Sequence, residues 1–157
     1  MAHKTRPRTA AEIMNRRVEG LAPDTPIAAA IHTLMRRGYS GAPVVDEAGK
    51  LLGVLSEQDC IGVLAASIYE GWPAGNVGDH MTREVEVAAA EEDVLAVAGR
   101  FAKGGHRRVF VVVDGHLAGM ISRRDLLRAL DEMRAENERT ERSDTYTLIQ
   151  VRHQKYD

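Results

Sequence analysis

Gly53-Val54-Leu55-Ser56-Glu57-Gln58-Asp59 and Gly119-Met120-Ile121-Ser122-Arg123-Arg124-Asp125 spell one pattern, Gly-apolar-apolar-Ser-x-x-Asp, at two places 66 residues apart. Each stretch closes a short apolar run and opens a helical pattern. A repeat of this length predicts two similar units that share a core. Working outward, Met14 aligns with Met81, Val18 with Val85 and Gly38 with Gly105, all at an offset of 67. One deletion between Asp46-Glu47-Ala48-Gly49-Lys50 and Val113-Asp114-Gly115-His116 reconciles the two offsets. Length changes belong in turns, and both segments carry the Gly and Asp that turns favour.

Each half repeats the same order of elements. A short strand is expected at residues 18–21 and 85–88, where Val85 and Val87 alternate with Glu84 and Glu86. A helix start follows, at Asp24-Thr25-Pro26 and at Glu91-Glu92-Asp93; Pro and negative charge both suit that position. Ile27, Ala30, Ile31 and Leu34 then recur at helical spacing, as do Val94, Val97, Ala98 and Phe101. Glycines are expected to stop these helices at Gly38 and at Gly104-Gly105. Strand pairs at residues 42–45 with 51–55, and 109–113 with 117–121, read as hairpins. A second helix begins at Ser56 or Ser122.

The predicted fold class is therefore α/β (α+β), as two β-α-β-β-α repeats. About 60 residues make a marginal core alone, so the two sheets are expected to pack together about a pseudo-twofold axis. The boundaries are a flexible N-terminal arm at residues 1–10, repeat 1 at 11–64, a linker at 65–76, repeat 2 at 77–130, and a polar helical extension and tail at 131–157. Residues 146–151 have the composition of a strand.

Composition narrows the function. The chain of 157 residues is 44% hydrophobic but only 4% aromatic, so aliphatic side chains must build the core. A net charge of −2 gives no footprint for nucleic acid. No apolar run approaches the ~20 residues of a membrane span. The lone Cys60 has no internal disulfide partner and reads as a small buried residue in a cytoplasmic protein. The six histidines show no metal-ligand spacing, though His106 is placed to line a cleft. Trp72 is expected to pack on the module. No phosphate-binding lysine loop, nucleophile elbow or Cys-x-x-Cys occurs, and nothing supports catalysis.

Ser56 and Ser122 make good helix N-caps, and Asp59 and Asp125 three positions on complete a capping box. The same geometry serves a ligand. A helix start with a hydroxyl can hold an anion, and a carboxylate one turn on can accept a vicinal diol. A phosphate beside a diol is a ribose phosphate. Arg107 and Arg108 open a strand in the second half, where the first has Ser40 and Gly41. Such a pair protects a strand edge or clamps a phosphate.

The whole layout resembles a tandem pair of CBS domains, named after cystathionine β-synthase. The marks are Ala11-Glu12-Ile13-Met14 and Val77-Gly78-Asp79-His80-Met81-Thr82 at the openings, Gly41-Ala42-Pro43-Val44-Val45-Asp46 on the middle strand, and both Gly-x-x-Ser-x-x-Asp stretches. Phe110 stands where that family often has Pro. The resemblance implies a regulatory, non-catalytic module that binds an adenosine compound such as AMP, ADP or ATP between its repeats. It implies a homodimer, with an unidentified regulated protein as a further partner and no catalytic cofactor or metal. Carried over by position, it implies a stronger site from Thr25, Ala30, Arg107, Arg108, Met120, Ser122 and Asp125. A weaker one, for a less charged ligand, comes from Ser40, Gly41, Val54, Ser56 and Asp59, with Glu92 in the place of Thr25. The rival expectation is a structural or dimerisation module with empty clefts.

Overall fold

A computed structural model describes the backbone of residues 8–154 and the side chains of residues 8–145. Of the expected arm, residues 1–7 lie outside the described residues. Residues 8–10 are anchored: the Val94 N–H donates to the Arg8 carbonyl at 2.9 Å, and Ala10 is fully buried.

The elements run α1 (Ala10–Ile13), α2 (Ile27–Arg37), β1 (Gly41–Val45), β2 (Leu51–Ser56) and α3 (Glu57–Glu70), then α4 (Val77–His80), β3 (Val87–Ala89), α5 (Val94–Lys103), β4 (Arg108–Val113), β5 (His116–Ser122) and α6 (Arg123–Gln154). In repeat 2, β3 pairs parallel with β4, and β4 pairs antiparallel with β5. In repeat 1 only the β1–β2 hairpin forms a sheet. The strand expected at residues 18–21 is reduced to one bridge from Leu21 to Val44. Beside it, a Cβ on Gly20 would lie 2.8 Å from a Val45 methyl. Its counterpart β3 begins two residues later than the Val85/Val87 alternation places it.

Local chemistry sets the helix ends. Ser56 and Asp59 cap α3 reciprocally, at 2.9 Å from the Ser56 N–H to Asp59 Oδ2 and 3.2 Å from the Asp59 N–H to Ser56 Oγ. Ser122 and Asp125 do the same for α6, at 3.0 and 3.1 Å. Asp93 caps α5 by accepting from the Leu95 N–H at 2.7 Å. Gly38 ends α2 in the left-handed region at φ 65°, which favours glycine. Gly104 ends α5 in extended backbone at φ −126°. The linker is shorter than expected, because α3 continues to Glu70. Helix α6 continues through residues 146–151, so a helix forms where the composition favours a strand.

The openings are exchanged. The core of repeat 2, built on Val94, Val97, Val109, Val111 and Ile121, includes Ala10 and Met14 from the start of the chain. The core of repeat 1, built on Ile27, Leu34, Val44 and Leu55, includes Val77, with Met81 packed against it. Backbone bonds follow the same rule in reciprocal pairs. The Ala10 N–H donates to the Glu92 carbonyl at 2.8 Å, and the Val77 N–H to the Thr25 carbonyl at 2.9 Å. The Asn15–Met120 bridge likewise mirrors the Thr82–Val54 bridge. Such reciprocity is what a twofold relation between repeats produces. At the hairpin turns, the Leu51 N–H donates to Gly115 and the Leu117 N–H to Gly49, both at 3.0 Å. Cys60 is buried as expected, and its thiol is pushed up from the ordinary range, first by burial and then by nearby Asp59 and Glu57. No described helix is long and apolar enough to cross a membrane.

Candidate functional site

Strand β2 delivers Ser56 to the start of α3 at the seam between the repeats. A cavity of about 680 Å³ opens there. Ser40, Val54, Ser56 and Glu57 line it from repeat 1; Thr82, residues 84–86, residues 105–108 and Phe110 line it from the other side. Phe110 is buried, in the place of Pro43 in repeat 1. The lining mixes apolar side chains, Val54, Ile61, Val85 and Phe110, with charged ones, Glu57, Glu84, Glu86, Arg107 and Arg108.

Arg108 spans the seam. Its Nη2 donates to Ser40 Oγ at 2.5 Å. The guanidinium lies so close to Gly41 that a Cβ there would sit 2.6 Å from Nη1. Glycine at 41 is therefore the seat for an arginine of the other repeat. Burial lowers the Arg108 pKa, Arg107 lowers it further, and Glu57 partly offsets both. Such a cation, short of carboxylate partners, favours an incoming anion. Arg107 is exposed beside it.

Asp59 is already occupied by hydrogen bonds. Oδ2 accepts from the Ser56 N–H and from the Ser56 hydroxyl, each at 2.9 Å. The Thr82 hydroxyl, from across the seam, donates to Oδ1 at 3.1 Å. The carboxylate lines an adjoining groove that shares Gln58 with the cavity. The helix start is also partly spent, because the Glu57 N–H donates to the Ser40 carbonyl at 2.9 Å and the Asp59 N–H to Ser56. Binding power in the cavity thus rests on side-chain cations and hydroxyls more than on free amides.

The cavity brings together a different set of residues from the one grouped on the sequence. Arg107 and Arg108 line this cavity with Ser40, Val54 and Ser56, and Met120, Ser122 and Asp125 are not among its lining residues. Arg108 does pair with Ser122 in the β4–β5 register, but its guanidinium goes to Ser40. Thr25 and Ala30 do not line the cavity: the Thr25 carbonyl receives α4, and Ala30 is fully buried in the core of repeat 1. Glu92 is paired with Arg100, and its carbonyl receives α1. The seats at Thr25 and Glu92 dock the exchanged openings. Met120 bridges Asn15, and Asp125 completes the α6 cap. His106 does line the cavity, and its carbonyl accepts from Arg123 Nε at 2.9 Å. Sequence reasoning missed Thr82 and Glu84 as lining residues. The signal was present, since both follow the opening at Met81 that aligns with Met14. Trp72 is 91% exposed and does not pack on the module as expected.

Comparison with known proteins agrees with this architecture. The CBS domain profile matches residues 10–66 and again 77–132. The chain is 34% identical over 119 residues to the Methanocaldococcus jannaschii protein MJ1225, covering 76% of this chain and 41% of that protein. The chain thus spans about two fifths of that relative, and about a third of the next, a zinc metalloprotease of the same organism. Among solved structures, Arabidopsis thaliana CBSX2 in complex with AMP superposes with a TM-score of 0.70 at 27% identity, over 80% of this chain and 98% of that one. The CBS domain pair of MJ0100, solved with 5′-methylthioadenosine and S-adenosyl-L-methionine, superposes at 0.67 with 25% identity, over 80% and 98%. Two profile matches covering most of the chain, on a fold of two intertwined repeats, place it in the CBS domain family as a tandem CBS pair.

Proposed function

We propose that this CBS pair is a regulatory, non-catalytic module that binds an adenosine compound in the cavity at the seam. The observation that carries this is the convergence of Ser56 from repeat 1 with Arg107 and Arg108 from repeat 2 around one cavity. Guanidiniums match phosphate oxygens, hydroxyls suit a ribose, and the apolar lining at Phe110 and Val54 suits a purine. The complexes of CBSX2 with AMP and of MJ0100 with S-adenosyl-L-methionine support the class of ligand. Because the walls come from different repeats, a ligand that binds one spacing better than another shifts the pair toward it. That shift is the signal passed to a regulated protein. A lone, buried Cys60 fits a cytoplasmic setting.

Homodimerisation is part of the same proposal. Met35, Ile61, Leu64, Ile68 and Trp72 leave an apolar face on α2, α3 and the turn beyond, with Met35 73% and Ile68 80% exposed. Exposed apolar surface of this kind suits a second copy. Sedimentation equilibrium of the chain and of Ile68→Glu checks it; a dimer that the variant leaves intact would place the interface elsewhere.

A thermal-unfolding series with adenosine, AMP, ATP and S-adenosylmethionine tests the ligand class. A compound at 100 times its Kd should stabilise by about 2.7 kcal/mol. Indifference to all four would instead favour a structural module with empty clefts.

A further inference from the structure

We infer that the seam cavity selects by phosphate number, accepting an adenosine ligand with one phosphate and discriminating against a triphosphate. This rests on the adenosine reading above and deepens it.

The balance of charge on the cavity wall sets this preference. Its arginines are Arg107 and Arg108, with the His106 imidazole beside them, and its carboxylates are Glu57, Glu84 and Glu86. Glu86 is answered from outside the cavity by Arg100, at 3.3 Å. That leaves two guanidiniums against Glu57 and Glu84, both exposed residues of the lining. One phosphate, close to a dianion above its second pKa of about 6, matches the two guanidiniums. Each phosphate beyond the first adds negative charge that finds no further lining arginine and lies near two carboxylates. Like charges set side by side in a partly dry site are strongly disfavoured. Glu57 is close enough to Arg108 to raise its pKa, so it already holds part of the field that a longer phosphate chain needs.

Seat geometry points the same way. Arg108 is fixed by Ser40 and by the space above Gly41. A guanidinium held this way is pre-organised for one position of the anion and gains less from a chain that extends past it.

The test is calorimetric titration of adenosine, AMP, ADP and ATP, without magnesium at pH 8, into the full chain and into Glu57→Gln/Glu84→Gln. AMP should bind tightest, above adenosine through the guanidiniums. ATP should bind about tenfold or more weakly than AMP. The double variant should recover most of that gap while changing AMP less, which ties the preference to this cavity rather than to any other site. If Glu57 proves too important to the start of α3, Glu84→Gln alone should recover part of the gap. Wild-type binding of ATP as tight as AMP overturns the inference and leaves the adenosine reading standing. A gap that neither variant narrows also overturns it. Silence with all four compounds defeats the adenosine reading itself.

Discussion

At Ser56 and at Ser122 the chain makes the same turn with the same bonds, but the two turns meet different surroundings. The cap distances are 2.9 and 3.2 Å at Ser56, and 3.0 and 3.1 Å at Ser122. Thr82 reaches Asp59 from across the seam, whereas its counterpart Asn15 turns its side-chain oxygen back to the Arg17 N–H at 3.0 Å. Glu57, Gln58 and Glu84 have Arg123, Arg124 and Arg17 as counterparts, and Arg107 and Arg108 have Ser40 and Gly41. Charge is thus redistributed around a conserved cap geometry. The cap is scaffold, shared by both repeats; what distinguishes the two clefts lies in the residues that do not support the turn.

The glycines beneath the turns offer the hardest test of that symmetry. A Cβ on Gly53 would lie 2.6 Å from the Thr82 carbonyl oxygen, and one on Gly119 2.8 Å from that of Asn15. Gly53→Val and Gly119→Val should each destabilise by about 1–3 kcal/mol in urea unfolding. Tolerance of one but not the other would mean that the exchanged openings are not equivalent.

The carboxylates should separate the repeats. Asp59→Ala removes both the cap and the bond to Thr82, and should cost about 1–2 kcal/mol against about 1 for Asp125→Ala. Adding Thr82→Val to each should couple to Asp59 and not to Asp125. Asp59 holds Ser56 and Thr82 at the cavity wall, so in adenosine-ligand titrations Asp59→Ala and Arg108→Ala should weaken binding more than Asp125→Ala, whereas the sequence alone ranks Asp125 above Asp59. Stronger dependence on Asp125 would move the main site to the other cleft.

The serines should bring the repeats back together. Ser56→Ala and Ser122→Ala should each cost about 1 kcal/mol in thermal or chemical unfolding. A clear excess at Ser56 would measure its added hydroxyl bond to Asp59.

The smallest contrast is one of pH. Cys60 occupies the place that Leu126 holds in repeat 2, and both are buried. The Cys60 thiol is pushed up on folding. Its neutral form is the one the folded protein holds, so its contribution is intact below the ordinary thiol pKa of about 8.5. That contribution is lost as pH rises from there through the folded value. Wild-type stability should decline over that alkaline window more than that of Cys60→Val. Parallel pH curves would remove the thiol from the account.

What could be read from sequence was what is decided locally. The Ser-x-x-Asp caps, the hairpin turns and the helical stripes each depend on neighbours within a few residues, so the pattern displays them. The exchange of α1 and α4 does not show in the pattern, because Ala10 and Val77 look equally apolar whichever core receives them. That one ambiguity is why the sequence groups Thr25 and Ala30 with the arginine pair, whose cavity they do not line. The strand at residues 18–21 shrank because its pairing with β1 is a tertiary matter. The β-prone residues 146–151 joined a helix already running from Arg123, where context overrides propensity.

The exchanged openings also mean that neither repeat could close on itself if it were alone. A single repeat, with its first turn committed to a neighbour, would need another copy to fill the gap, as in a domain-swapped dimer. The tandem chain is that dimer made covalent. A protease cut within residues 71–76, which lie between α3 and α4, would sever the chain but not the clasp. Each fragment would still hold the other's leading turn in its own core, and the pair should leave a sizing column as one particle.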